Sequence, residues 1–112
     1  MWETSVRLQG KTAIVTGGGR GIGAEYCKAL AIAGAAVLVA DLDMDGAKQV
    51  SDDITKAGGR AHAFRLDVSS PQDTQAMAEA AQEQFGGIDI LVNNAAMYAN
   101  LTRKRYDEIT PD

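Results

Sequence analysis

Residues 16–23 read TGGGRGIG, between an apolar run, TAIVT at 12–16, and a stretch with helical spacing over 21–34. Glycine loses more backbone entropy on folding than any other residue, so a cluster of it marks a place where the backbone must turn tightly or come close to something. Placed between a strand and a helix, such a turn suits a phosphate. The helix N-terminus offers unpaired N–H groups and the positive end of its dipole.

Outward from this turn the periodicity alternates. Ile22, Tyr26, Ala29, Leu30 and Ala33 fall at helical spacing, and Gly34 follows as a stop. AVLVA at 36–40 is a second apolar run. Asp43 then caps a helix carrying Ala47, Val50, Ile54 and Ala57, ended by Gly58-Gly59. AHAFRL at 61–66 is more mixed and reads as a sheet edge. Ser70-Pro71-Gln72-Asp73 is a helix start, with a capping hydroxyl, proline at the first position and an acid in the first turn. Met77, Ala80, Ala81 and Phe85 form that helix's apolar stripe, Gly86-Gly87 stops it, and IDILVN at 88–93 is a fourth strand. The order is β-α-β-α-β-α-β. The first two strands are apolar on both faces, as in a parallel sheet covered by helices on both sides. The expected class is therefore doubly wound α/β.

Composition narrows the function. With 46% hydrophobic and 23% charged residues in 112, the chain is expected to fold as one globular domain or part of one. The net charge of −4 and the lack of a basic stripe argue against nucleic acid as a partner. No apolar stretch reaches the length of a membrane span, and MWETSVRLQGK has no long apolar core of a secretory signal. Cys27 alone forms no internal disulfide, and one Cys with one His (His62) makes no zinc site of the usual kind. The expectation is a cytoplasmic, metal-free protein.

Asp41 adds to the glycine turn. It lies at the end of the second strand, about 20 residues beyond Gly21, the spacing of a carboxylate that accepts from a ribose hydroxyl. The turn is better described as T-G-x-x-x-G-x-G, through Thr16, Gly17, Gly21 and Gly23, than as G-x-G-x-x-G, which Gly19, Gly21 and Ala24 fit loosely. No Lys-Ser or Lys-Thr follows, so a nucleoside triphosphate loop of the Walker type is rejected. Turn, helix and acid together predict a nucleotide or dinucleotide site.

The motifs TGGGRGIG at 16–23, Asp41, Asp67-Val68 after the third strand and NNAA at 93–96 after the fourth resemble the short-chain dehydrogenase/reductase family, in order and spacing. The resemblance covers nearly all of the chain but only the N-terminal half of a family member. It implies a Rossmann-type sheet of order 3-2-1-4, in which the turn formed by Gly17, Gly19, Arg20, Gly21, Ile22 and Gly23 carries the pyrophosphate and adenosine ribose. It places Asp41 at the ribose with Leu42 beside it in the cofactor site, Asp67 and Val68 at adenine, and Asn93, Asn94 and Ala95 along the cofactor and bracing the fourth strand. Ala96 stands where the family motif ends in glycine. Asp41 favours NAD over NADP because it repels a 2′-phosphate; Arg20, which could hold one, points the other way.

The family's catalytic Tyr-x-x-x-Lys is not found: Leu30, Thr102 and Thr110 stand four residues after Tyr26, Tyr98 and Tyr106. Residues 110–112, Thr-Pro-Asp, read as a helix start. Residues 1–112 are therefore expected to be the dinucleotide-binding part of one domain, cut before its catalytic segment and inactive alone. The resemblance implies that the parent is an oxidoreductase passing hydride between the nicotinamide and a small-molecule secondary alcohol or ketone. In order 3-2-1-4 the fourth strand is an apolar edge, so poor solubility or a complementing chain is expected; the resemblance implies a homo-oligomer.

Other residues have plainer readings. Cys27 is a small core residue, His62 a packing or surface residue, Asp52-Asp53 surface charge, 103–105 (RKR) a solvated run, and Trp2 a terminal packing residue. Met97 and Tyr98 could border a substrate cleft, and Asp67 could serve only as a turn cap. Two other functions compete: a non-catalytic nucleotide-binding module of the same fold, and an S-adenosylmethionine methyltransferase. The latter commonly carries an acid ahead of the glycines, where this chain has Val15-Thr16.

Overall fold

A computed structural model of the protein describes residues 7–94. The elements are β1 (Thr12–Thr16), α1 (Gly21–Ile32), β2 (Ala36–Asp41), α2 (Met44–Lys56), β3 (Arg60–Arg65), α3 (Pro71–Phe85) and β4 (Ile90–Asn93). The strands form one parallel sheet in the order β3-β2-β1-β4, as the resemblance implied. The readings made for residues 95–112 and for Trp2 lie outside the described residues.

β1 and β2 are buried along their whole length because both sheet faces are covered. Ala13, Val15, Val37 and Val39 pack on one face against Ala24 and Cys27 of α1 and Ala47, Val50 and Ile54 of α2. Ile14, Leu38 and Ala40 pack on the other face with Leu66 and with Met77 and Ala81 of α3. Each large aliphatic side chain so buried contributes on the order of 1.5–3 kcal/mol. β3 lies at one end of the sheet, half-buried, as its mixed composition suggested. β4 lies at the other end of the described sheet, and its Leu91 is 57% exposed. Asp89 registers β4 on β1: its carboxylate accepts from Thr12 N–H at 2.8 Å and its own N–H donates to Thr12 C=O at 2.9 Å.

The expected apolar stripe of α1 is corrected. Ile22 and Tyr26 are 65% and 41% exposed and Ala29 is exposed, while Gly23, Ala24 and Cys27 face the sheet with Leu30 and Ala31 partly buried beside them. The glycine turn sets this phase. A Cβ on Gly23 would lie 1.9 Å from the Gly17 carbonyl oxygen, so the helix enters with Gly23 inward. At 3.6 residues per turn, positions 27, 30 and 31 then follow it inward. Close approach of helix to loop overrides the preference for burying the larger side chains.

Candidate functional site

A cleft of about 630 Å³ opens at the C-terminal ends of the strands. The chain runs from β1 outward to β2 and β3, then returns to place β4 on the other side of β1. Such a reversal leaves a crevice beyond the strand ends. Gly17, Arg20, Gly21 and Ile22 line it from the glycine turn. Asp41 and Leu42 line it after β2, Leu66, Asp67 and Val68 after β3, and Asn94 after β4. Residues from four separate segments are thus brought together, as the sequence predicted.

The floor of the cleft is the start of α1. Arg20 is its N-cap, in extended backbone, and makes no capping hydrogen bond with its side chain; the first turn contains no acid. The first N–H groups of a helix have no intrahelical partner. Here they are left to whatever occupies the cleft, together with the positive end of the helix dipole. Gly17 and Gly21 hold φ near +68° and +58°, which only glycine adopts cheaply, and these two residues set the turn.

Asp41 forms one wall. It is 5% exposed, yet it lines the cleft. Its Oδ2 accepts from Gly19 N–H and its Oδ1 from Asp43 N–H, both at 2.9 Å. Two backbone donors thus fix the carboxylate plane. A carboxylate has about four acceptor sites, so each oxygen keeps capacity for a further donor. The arrangement can bind a pair of hydroxyls and opposes a second anion at the same place.

Asp67 behaves differently. Its Oδ1 accepts from the Ser69 hydroxyl at 2.6 Å and from Ser69 N–H at 2.9 Å. These bonds, the hydroxyl's first, hold its carboxyl below the usual carboxylate range. The turn-capping role considered for it is therefore present alongside its place in the cleft. Its N–H donates to Asp73 Oδ2 at 3.0 Å, which ties the exit of β3 to the first turn of α3.

Some of the predicted residues stand behind the cleft. Asn93 Oδ1 accepts from Thr16 Oγ1 at 3.0 Å, which fastens the end of β4 to β1. Asn94 lines the cleft, and its Nδ2 donates to Gly17 C=O at 3.3 Å. Gly19 acts through its N–H on Asp41, and Gly23 through its close approach to Gly17. Ala95 lies outside the described residues.

Leu66 and Gly46 were missed. Leu66 reads as the last core residue of a strand, and nothing in sequence separates that role from lining a cleft. Gly46 carried a signal, a glycine in the first turn of a helix. A Cβ there would lie 2.6 Å from the Gly19 carbonyl oxygen, so α2 is seated directly against the glycine turn. Cys27 is fully buried behind the turn, as its core reading required. Burial first, and then the charge of Asp41, pushes its thiol up to about 12, so it stays a neutral packing group. Among the described residues no cluster of His, Cys, Asp and Glu could hold a metal, and no helix is long and apolar enough to cross a membrane.

Comparison with known proteins places this geometry. The family model described as short chain dehydrogenase matches residues 11–110. The chain is 48% identical over 91 residues to the 7alpha-hydroxysteroid dehydrogenase of Escherichia coli (strain K12), covering 81% of this chain and 36% of that protein. It is 39% identical over 109 residues to the galactitol 2-dehydrogenase of Agrobacterium fabrum, covering 93% of this chain and 41% of that protein. A solved 7 alpha-hydroxysteroid dehydrogenase, complexed with NADH and 7-oxo glycochenodeoxycholic acid, superposes with a TM-score of 0.77 at 45% identity, over 83% of this chain and 36% of that one. The chain therefore spans little more than a third of the length of such relatives.

Proposed function

The chain belongs to the short-chain dehydrogenase family, and on that premise we propose that it forms the NAD-binding part of a Rossmann domain in an oxidoreductase of secondary alcohols and ketones. The observation that carries this reading is the pairing of an uncapped helix N-terminus with Asp41, whose carboxylate is fixed by Gly19 and Asp43 at the wall of the same cleft. A dinucleotide has the two features this pairing recognises, a bridging pyrophosphate and a ribose diol.

The residues fit the group. The backbone N–H groups at Gly21, Ile22 and Gly23 would hold the pyrophosphate, and Asp41 the adenosine ribose through its remaining acceptor sites. Leu42 and Val68 are 56% and 47% exposed beside the cleft, and they would cover the adenine faces, with Asp67 near its amine. Asn94 would keep Gly17 in place, and Asn93 would keep β4 on β1. Ala95 is assigned to the same site from the motif alone. When bound, the nicotinamide accepts or returns a hydride. This chain's residues would hold and orient it, and no catalytic residue is assigned among them.

NAD is favoured over NADP because a 2′-phosphate would meet the Asp41 carboxylate in a buried setting, where like charges repel more strongly than in water. Arg20, which also lines the cleft, would favour a 2′-phosphate, but Asp41 outweighs it because its carboxylate stands where that phosphate would lie. The substrate is proposed to be a small molecule bearing a secondary alcohol or ketone, supported by the hydroxysteroid and galactitol dehydrogenases among the relatives. A cytoplasmic setting, and a homo-oligomer or a complementing chain as partner, complete the proposal.

Calorimetric titration with NAD, NADP and ADP-ribose tests it. NAD and ADP-ribose are expected to bind alike, and NADP at least about tenfold more weakly, as one lost charge-assisted contact implies. NADP binding as tight as NAD would overturn the NAD preference, and no binding by any of the three would overturn the site.

A further inference from the structure

The back of the glycine turn is as closely built as its front. Gly18 lies in the turn but does not line the cleft. Its N–H donates to Ala40 C=O at 3.0 Å, and its carbonyl faces Cys27 Sγ at 3.7 Å, in reach of a weak S–H···O bond. Unlike Gly17 and Gly21, it is not in the left-handed region, so its backbone would accept any side chain. Space is what forbids one. A Cβ at Gly18 would meet Cys27 Sγ at 2.8 Å, Val15 C=O at 3.0 Å and Val39 Cγ1 at 3.2 Å.

The sulfur is the nearest of these, and it has little freedom to withdraw. Cys27 is fully buried in the cluster that includes Ala13, Val15 and Val39. Gly18 adjoins Gly19, whose N–H fixes Asp41, and Gly17, whose carbonyl meets Gly23 and Asn94. Pressure at Gly18 is therefore passed to both halves of the cleft.

We propose that Gly18 and Cys27 form a coupled size pair that positions the glycine turn, so that Cys27, without touching the cofactor, sets how tightly a dinucleotide is held. The sulfur fills the space left by the missing Cβ. It supports the turn from behind at the height at which Gly19 N–H reaches Asp41. This rests on the dinucleotide reading of the cleft, but the coupling itself is a property of the free protein.

The test is a double-mutant cycle on the intact protein with Gly18→Ala, Cys27→Ala and the two combined. Three readouts are taken: the NADH dissociation constant, the melting temperature, and the position of the Gly19 amide in proton–nitrogen correlation spectra without ligand. Gly18→Ala is expected to weaken NADH binding about tenfold or more, the usual scale of an overpacked contact, and to move the Gly19 amide. Cys27→Ala should lower the melting temperature through its cavity and, because the turn loses its support from behind, weaken NADH binding about fivefold; unchanged affinity contradicts the proposal. The double variant should recover most of the affinity and return the Gly19 amide toward its original position. A double variant as weak as Gly18→Ala, or a Gly18→Ala protein that binds like the original, overturns the proposal. If Gly18→Ala does not fold, Cys27→Val presses on the turn from the other side. It should weaken NADH about fivefold, and unchanged affinity contradicts the pairing. If the unaltered protein binds no NADH, the dinucleotide reading fails, and recovery of the Gly19 amide in the double variant still decides the coupling.

Discussion

α1 and α3 start by opposite rules. α3 closes its own N-terminus: Ser70 Oγ accepts from Asp73 N–H at 3.1 Å, Pro71 removes one donor, and Asp73 places a charge in the first turn. α1 has neither a side-chain cap nor a first-turn acid, and an arginine sits at its N-cap. A cap is worth about 1 kcal/mol to a helix. The chain secures that at α3 and forgoes it at α1, where the open end faces the cleft. The contrast separates a helix end closed by its own side chains from one left uncapped, which the proposed function assigns to an external anion.

The largest effect is expected where α1 meets its turn. Gly23→Ala would drive a methyl into the Gly17 carbonyl, a backbone atom with no easy retreat. It should cost about 3 kcal/mol in denaturant unfolding and abolish measurable NADH binding. A variant with unchanged stability and affinity would mean that helix and loop are not held together at this point.

Removing the wall comes next. Asp41→Ser leaves Gly19 N–H and Asp43 N–H without their carboxylate and takes an acceptor pair from the ribose position. NAD affinity should fall roughly 10- to 100-fold, the scale of hydrogen bonds to a charged group. NADP should lose far less, so the preference narrows or inverts. Equal losses for both cofactors would place the 2′-position away from Asp41.

The comparison itself can be inverted by giving α1 what α3 has. Arg20→Asp supplies a capping carboxylate in the extended conformation that position already holds. Stability should rise by about 1 kcal/mol while NADH binding weakens about tenfold, because the new carboxylate competes with the phosphates. A rise in stability without a loss of affinity would show that phosphate and cap do not share a place. Conversely, Ser70→Ala should cost α3 about 1 kcal/mol and leave the NADH dissociation constant unchanged. Any marked loss of affinity there would blur the distinction between the two helix starts.

Much of this was legible in the sequence because local chemistry and tertiary role coincide. The apolar runs at the centres of β1 and β2 point to a doubly covered sheet, and Ser70-Pro71-Gln72-Asp73 carries the cap, proline and acid of a helix start. The glycine turn and Asp41 were readable as a pair because their spacing follows from one βαβ unit. The phase of α1 was not legible. Hydropathy favours burying Ile22 and Tyr26, and only the approach of Gly23 to Gly17 turns them out. Nor could periodicity show that Asp41 is held by two backbone donors, that Gly46 seats α2 on the turn, or that Cys27 stands behind Gly18. Each of these depends on distances between segments.

The central claim, that the open end of α1 is the anion site of the fold, is tested most directly by following backbone amides in proton–nitrogen spectra as NAD is added. The amides of Gly21, Ile22 and Gly23 are expected to shift downfield together as the cofactor saturates, while Gln72 and Asp73 at the start of α3 stay where they are. Saturable NAD binding that leaves the Gly21–Gly23 amides in place would contradict the account.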